Sequence, residues 1–242
     1  MRSRSFWLLS AVGVVAACSG DSTSPASGNA DGRLQIIPGV AALAAIDVVV
    51  DGQTRLTNAA YGVPTALIAL SLGQHQVKAV PAGTAPTAGG ATVTLRAGDT
   101  TRVVVIGTPG ALNPVALGDT GATPVPGKGK LRVSHLAANA PAIDVYRTQP
   151  DFGSFVKFMD PFPYKASTPF IESTPGNWVI RVTKKGTDEV LAESGPIRVD
   201  ELWIRTILLL DTPEGGVKIT PLVSNRVSRS RSPADREDRA WA

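Results

Sequence analysis

The chain has 242 residues, with 24 Lys and Arg against 20 Asp and Glu, and its net charge of +4 is too small to argue for a nucleic-acid partner. One cysteine and two histidines exclude an internal disulfide framework and a Cys-based zinc site. Glycine (24) and proline (19) are plentiful while long helical periodicity is absent, which predicts an all-β chain of short strands joined by turns.

Residues 1–17 read as an export signal. Arg2 and Arg4 precede an apolar run from Phe6 to Ala17, too short to span a bilayer that needs roughly 20 helical residues. The run ends in Val15-Ala16-Ala17-Cys18, which resembles the lipobox of bacterial lipoproteins. The expectation is therefore cleavage before Cys18, with a diacylglyceryl group on its thiol and an acylated amine, since two or more chains give stable anchoring. Ser19 rather than Asp follows, and the lipoprotein resemblance then implies the outer membrane. Losing Met1 to Ala17 removes two arginines and no acid, so the mature chain is still closer to neutral.

Residues 18–32 are polar and turn-rich and read as a flexible tether, reaching on the order of 20 Å with random-coil scaling. Two folded blocks are expected after it, at residues 33–117 and 130–224, separated by a Pro/Gly-rich linker at 118–129 that few contacts should cross. Residues 225–242 form an Arg/Ser-rich tail of the kind that is usually solvated.

The blocks read as divergent copies. Ile46-Asp47-Val48 corresponds to Ile143-Asp144-Val145 at an offset of 97 residues, and Tyr61, Gly73 and Lys78 correspond to Tyr164, Gly176 and Arg181 at an offset of 103. The drift places an insertion in the second copy near Thr148 to Met159. Alternation in Leu131 to His135 and in Trp178 to Thr183 marks half-buried strands, and the apolar runs Thr101 to Ile106 and Leu202 to Leu210 mark central ones. The predicted architecture is two tandem immunoglobulin-like or fibronectin-like β-sandwich domains.

Residues Leu131-Arg-Val-Ser-His135-Leu-Ala-Ala-Asn-Ala-Pro141-Ala-Ile-Asp144-Val-Tyr146 resemble the signature of the bacterial family catalogued as domain of unknown function 4397. In that signature a His leads through a Ser-Pro-Asp-type loop into Ala-Pro-Ala-hydrophobic-Asp-Val-Tyr. The first block matches through Ala45 to Gly52, Ala60 to Val63 and Ala97 to Thr100, but Pro38 stands at the His position and Ala44 at the Pro position. Loop Ala137-Ala-Asn139 also departs from Ser-Pro-Asp. The resemblance implies an exported, often lipidated sandwich domain.

Few residues carry chemistry. His75 follows a turn and reads as a solvated strand-start histidine, while His135 reads as a partly buried one bonded to the adjoining loop. Asp47 and Asp144, the acids shared by both blocks, are expected to accept amides of the preceding Ala-rich loop and fix the chain's entry into the sheet. Neither has the partners a calcium site requires, and no metal or cofactor is expected. Phe152, Phe155, Phe158, Phe162 and Tyr164 cluster in the insertion, either as an exposed interaction patch or as a lid on the sandwich edge. There is no Gly-x-Ser-x-Gly and no phosphate-loop spacing.

The resulting expectation is a lipid-anchored envelope protein, not an enzyme, built of binding or structural modules. Its partners would be the membrane, through the lipid, and an envelope protein or surface polysaccharide. The alternatives are an envelope hydrolase or carbohydrate-active enzyme with an unrecognised site, and an accessory subunit of an envelope complex.

Overall fold

The structure is a computed structural model that describes residues 32–85, 90–118, 123–151 and 153–223. The signal segment, Cys18, most of the tether, the tail and Phe152 lie outside the described residues. Every helix-or-strand element among the described residues is a strand, so the all-β expectation holds.

The first block contains β1 (Gly32–Pro38), β2 (Ala45–Val50), β3 (Gln53–Ala60), β4 (Ile68–Leu70), β5 (Gly73–Pro81), β6 (Ala91–Leu95), β7 (Thr100–Thr108) and β8 (Ala111–Leu117). The second contains β9 (Gly129–Leu136), β10 (Ile143–Thr148), β11 (Phe155–Lys157), β12 (Ile171–Ser173), β13 (Gly176–Lys184), β14 (Val190–Glu193), β15 (Ile197–Val199), β16 (Ile204–Asp211) and β17 (Val217–Val223). Strand order in the first block is β4-β1-β7-β8 in one sheet and β3-β2-β5-β6 in the other. The second block repeats it as β12-β9-β16-β17 and β11-β10-β13-β14, with β15 also pairing β13. Pairs β1/β7 and β9/β16 are parallel.

This order departs from the immunoglobulin one. There the first two strands share a sheet with the fifth and fourth. Here β1 and β2 lie in different sheets, and β1 sits between β4 and β7.

Each pair of sheets closes on its own core. Leu34 and Ile36 of β1, Val103 and Val105 of β7, Ile46, Val48 and Val50 of β2 and Val77 of β5 meet in the first block. Val133, Ile207 and Leu209 meet Ile143, Val145, Ile180 and Val182 in the second. Strand alternation produces these sets, because successive side chains point to opposite faces.

A third apolar cluster joins the blocks. Ile37, Val104, Ile106 and Leu117 from the first pack with Leu136, Leu208, Leu210 and Leu222 from the second. These residues lie on the faces of β1, β7, β8, β9, β16 and β17 opposite the two sandwich cores, so the sheets stack as four layers and the two inner sheets are covered on both sides. That is why β7 and β16 read as nearly continuous apolar runs. The expectation that few contacts cross between the blocks is corrected: outer faces this apolar must be covered, and each block covers the other. Buried arginines line the same faces at mirrored places. Arg102 on β7 donates to Gln35 Oε1 on β1 at 3.2 Å, while Arg132 on β9 donates to Thr206 Oγ1 on β16 at 3.1 Å.

Loop hydrogen bonds recur at the offsets read from the sequence. Gly62 N donates to Pro38 O and Lys165 N to His135 O, both at 2.7 Å. The Thr65 hydroxyl accepts Ile36 N at 3.1 Å, as the Thr168 hydroxyl accepts Val133 N at 3.0 Å. The insertion is where the blocks part. In the first, Asp51 and Gly52, with φ of 52° and 79°, make a two-residue type I′ hairpin between β2 and β3. In the second, residues 149–154 join β10 to β11, and residues 158–163 then return toward the end of β9.

Candidate binding cleft

At one end of the second block, the loop after β9, the start of β10 and the segment Pro161–Tyr164 enclose a cleft of about 220 Å³. Its walls are mostly apolar: Ala137, Ala140, Pro141, Phe162 and Pro163 contribute, with His135, Tyr164 and Lys185 supplying polar groups. The sequence reaches this arrangement because β9 alternates His135 inward with Val133, and the next residues turn away from the sheet as Ala137 to Ala142.

His135 is 3% exposed. Its ring meets Phe162 edge-on at 5.7 Å and Tyr164 at 6.1 Å between centroids. Nδ1 is buried without a hydrogen-bond partner among the described residues. Burial pushes the imidazole pKa below its ordinary 6.5, against an opposing pull from Asp211, so the ring is neutral at pH 7. A proton on Nδ1 would be an unsatisfied buried donor, which assigns the ring hydrogen to Nε2. The adjoining loop is held by Asp211 and not by the His135 ring, while the His135 backbone is bonded to the segment after Tyr164: His135 N donates to Ala166 O at 2.9 Å. A carboxylate partner that would make this ring a general base is missing among the described hydrogen bonds.

Asp211, at the end of β16, organises the cleft. Its carboxylate accepts Ala138 N at 3.0 Å and Asn139 N at 2.8 Å, which fixes the loop, and its backbone carbonyl accepts the Tyr61 hydroxyl of the first block. Sequence reasoning passed over this residue. The signal was there: an acid closing the apolar run Ile204 to Leu210, one step before solvent.

The four described aromatics of the insertion do not form one patch. Phe162 is 5% exposed in the sandwich core, and Phe158 packs against the same core. Phe155 is 50% exposed on the edge strand β11, edge-on to Tyr146 and beneath the Arg181 guanidinium. Tyr164 is 37% exposed at the cleft rim, and burial together with the Asp211 charge raises its hydroxyl pKa. Phe152 lies outside the described residues.

The shared acids hold turns. Asp47 accepts Gly83 N at 2.9 Å and Asn58 N at 2.8 Å, and those two bonds lower its pKa. Asp144, 3% exposed, accepts Gly186 N at 3.0 Å and pairs with Lys157 Nζ at 2.9 Å. Burial pushes the Asp144 carboxyl up, and the Gly186 amide and Lys157 ammonium outweigh it, so its pKa is lowered. The partners come from the turns after β5 and β13 and from the neighbouring strand, not from the Ala-rich loops expected to supply them. His75 also differs from expectation. It is 6% exposed, with Nδ1 2.6 Å from the Asp51 carboxylate and Nε2 2.9 Å from Ser71 O. Both neighbours are acceptors, so both ring nitrogens carry hydrogen and the ring is imidazolium.

With this geometry in place, the chain can be set beside known proteins. Residues 32–146 match the family described as Domain of unknown function (DUF4397). The match includes His135 and Asp144 and ends inside β10. No curated protein matches the chain. Among solved structures, the Bacillus anthracis TIE protein aligns with 12% identity and a TM-score of 0.25, over 81% of this chain and 32% of that one, so this chain spans about a third of its length. A Bacteroides ovatus ATCC 8483 protein described as a "putative cell adhesion protein" aligns with 11% identity and a TM-score of 0.30, over 83% of this chain and 99% of that one. A DUF3823 family protein from the same organism aligns with 10% identity and a TM-score of 0.22, over 70% and 98%.

Proposed function

We propose that this chain is a lipid-anchored protein of the bacterial cell envelope, held to the outer membrane through Cys18, whose two sandwiches are copies of one unit with different duties. The second copy is a non-catalytic binding module that takes a small group of a surface polysaccharide in its end cleft. The first is a buttress that braces the second and carries it away from the membrane.

One observation carries this reading: the shared tyrosine is held by the neighbouring block in the first copy and borders a cleft in the second. Tyr61 is engaged by the Asp211 carbonyl and overlaid by the Lys218 ammonium at 5.0 Å from its ring centroid. Its counterpart Tyr164 borders a cleft. An opening with apolar walls and few polar groups is the usual form of a small-ligand site.

Capture from the native envelope tests it. The lipidated full chain, immobilised, should retain surface polysaccharide, and Tyr164→Ala should lose that retention while the fold persists. Retention unaffected by Tyr164→Ala would remove the cleft from the function. For the anchor, Cys18→Ser should abolish incorporation of labelled fatty acid, and label surviving in that variant would overturn the lipoprotein reading.

A further inference from the structure

The cleft is selective in what it can accept. Its volume of about 220 Å³ is below the roughly 300 Å³ at which drug-sized pockets begin, so it suits one small group rather than an extended chain. The walls offered by Ala137, Ala140, Pro141 and Phe162 favour a methyl-sized apolar group. His135 lines the same cleft, with Tyr164 and Lys185. His135 Nδ1 is buried without a partner among the described residues, and an unsatisfied buried N–H there would be costly, which assigns the ring hydrogen to Nε2.

That donor discriminates among ligands. A purely apolar guest would leave the N–H unsatisfied on binding, at the cost of desolvating it. A carboxylate would look to Lys185, whose ammonium is already held by Asp160 at 3.1 Å. A sugar presenting only hydroxyls needs several side-chain amides or carboxylates to pair with, and the lining supplies none. A group joining a methyl to a carbonyl oxygen meets both requirements at once.

We propose that the cleft binds the N-acetyl group of a hexosamine in an envelope glycan, with the methyl against Ala140, Pro141 and Phe162 and the carbonyl oxygen accepting from His135 Nε2. Asp211 is a positioning residue here, because it holds the Ala138 and Asn139 amides and so the wall that the methyl meets. This rests on the binding-module reading above and names the chemistry of that site.

The test uses the full chain titrated calorimetrically with N-acetylglucosamine, glucose and N-acetylalanine methylamide, alongside retention of envelope polysaccharide. N-acetylglucosamine should bind saturably and at least tenfold more tightly than glucose, which lacks the acetyl group. His135→Phe keeps a planar ring and removes the donor, and should weaken binding at least tenfold. Ala140→Leu, at a half-buried position outside the strands, fills the cleft and should abolish binding with the melting temperature preserved. Equal affinity for glucose overturns the acetyl assignment, and tighter binding of the peptide mimic assigns the cleft to a polypeptide instead. If envelope polysaccharide is retained and Ala140→Leu abolishes that retention while N-acetylglucosamine does not bind, the acetyl assignment fails and the reading of the cleft as the binding site stands. If no polysaccharide is retained, that reading fails with it.

Discussion

Tyr61 and Tyr164 occupy the same place in the two blocks, and their surroundings differ. Around each, the following residue bonds back to the end of the first strand, through Gly62 to Pro38 and through Lys165 to His135. What changes is the chain between the shared acid and the shared tyrosine. Tyr61 follows Asp47 by 14 residues, whereas Tyr164 follows Asp144 by 20. The tight Asp51-Gly52 hairpin leaves no slack in the first block, while the longer second path brings Pro161, Phe162 and Pro163 to the loop after β9 and makes a cleft. Stacking completes the divergence, since Asp211 and Lys218 of the second block cover Tyr61. One scaffold thus gives a brace or a site according to loop length and to which end faces the neighbouring copy.

The largest test of this comparison breaks the stack. Leu208 is fully buried in the cluster that joins the blocks. Leu208→Ala should cost about 2 to 5 kcal/mol, from lost burial and the cavity left behind, and Leu208→Asp should cost more by burying an unpaired charge. Urea unfolding monitored in both blocks should lose stability together. Cleavage at a protease site introduced between residues 123 and 128 should leave the halves associated in gel filtration. Halves that separate and stay monomeric would make the stack incidental.

Much of this was legible in the residues. Period-two alternation located the strands, and the paired offsets at Asp47/Asp144 and Tyr61/Tyr164 anticipated hydrogen bonds that recur in both blocks. The strand order was not legible, because alternation reveals which face a strand buries and not which strand lies beside it. The stack was misread from Gly118 to Gly129, where a flexible composition suggested independence. The opposing signal lay in Arg102 to Ile106 and Ile204 to Leu210, strands apolar on both faces and so in need of two covers. The aromatics of the insertion misled for a related reason: Phe162 and Phe155 stand seven residues apart, yet one enters the core and the other borders solvent. Composition carries no information on which.

A smaller effect separates the shared acids. Asp144→Ala removes the acceptor of a buried turn amide and strands Asp144's share of the Lys157 ammonium, and should cost roughly 1 to 3 kcal/mol. Asp47 is more exposed and water can replace it, so Asp47→Ala should cost less. Equal losses in chemical denaturation would mean that burial does not distinguish the two turns. At the junction, Tyr61→Phe deletes one hydrogen bond to the Asp211 carbonyl and should cost roughly 0.5 to 1.5 kcal/mol. Tyr164→Phe should cost nothing measurable, since no bond ties that hydroxyl to a described residue.

The smallest expected effect is a difference in pH dependence between the blocks. The Asp51 carboxylate raises the His75 pKa above 6.5, against the opposing influence of burial and of Arg55, so the folded state holds the proton more tightly than the unfolded chain. Its contribution is fully present below pH 6.5 and is lost as pH rises through the raised folded value. Asp51 is the other limb: its pKa is lowered, chiefly by the His75 hydrogen bond and then by the Gln76 amide, so its contribution is present above 3.8 and lost as pH falls through the folded value. The first block is therefore favoured between about pH 4 and 6.5. His135 has the opposite sign. Burial lowers its pKa, the unfolded chain binds the proton more readily, and stability falls as pH drops below 6.5 toward the lowered value. Urea midpoints measured from pH 4 to 9 should show His75→Gln flattening the alkaline decline and His135→Phe flattening the acid one. If His135→Phe instead removed the alkaline decline, the neutral buried imidazole assigned to the cleft, and with it the Nε2 donor, would be wrong.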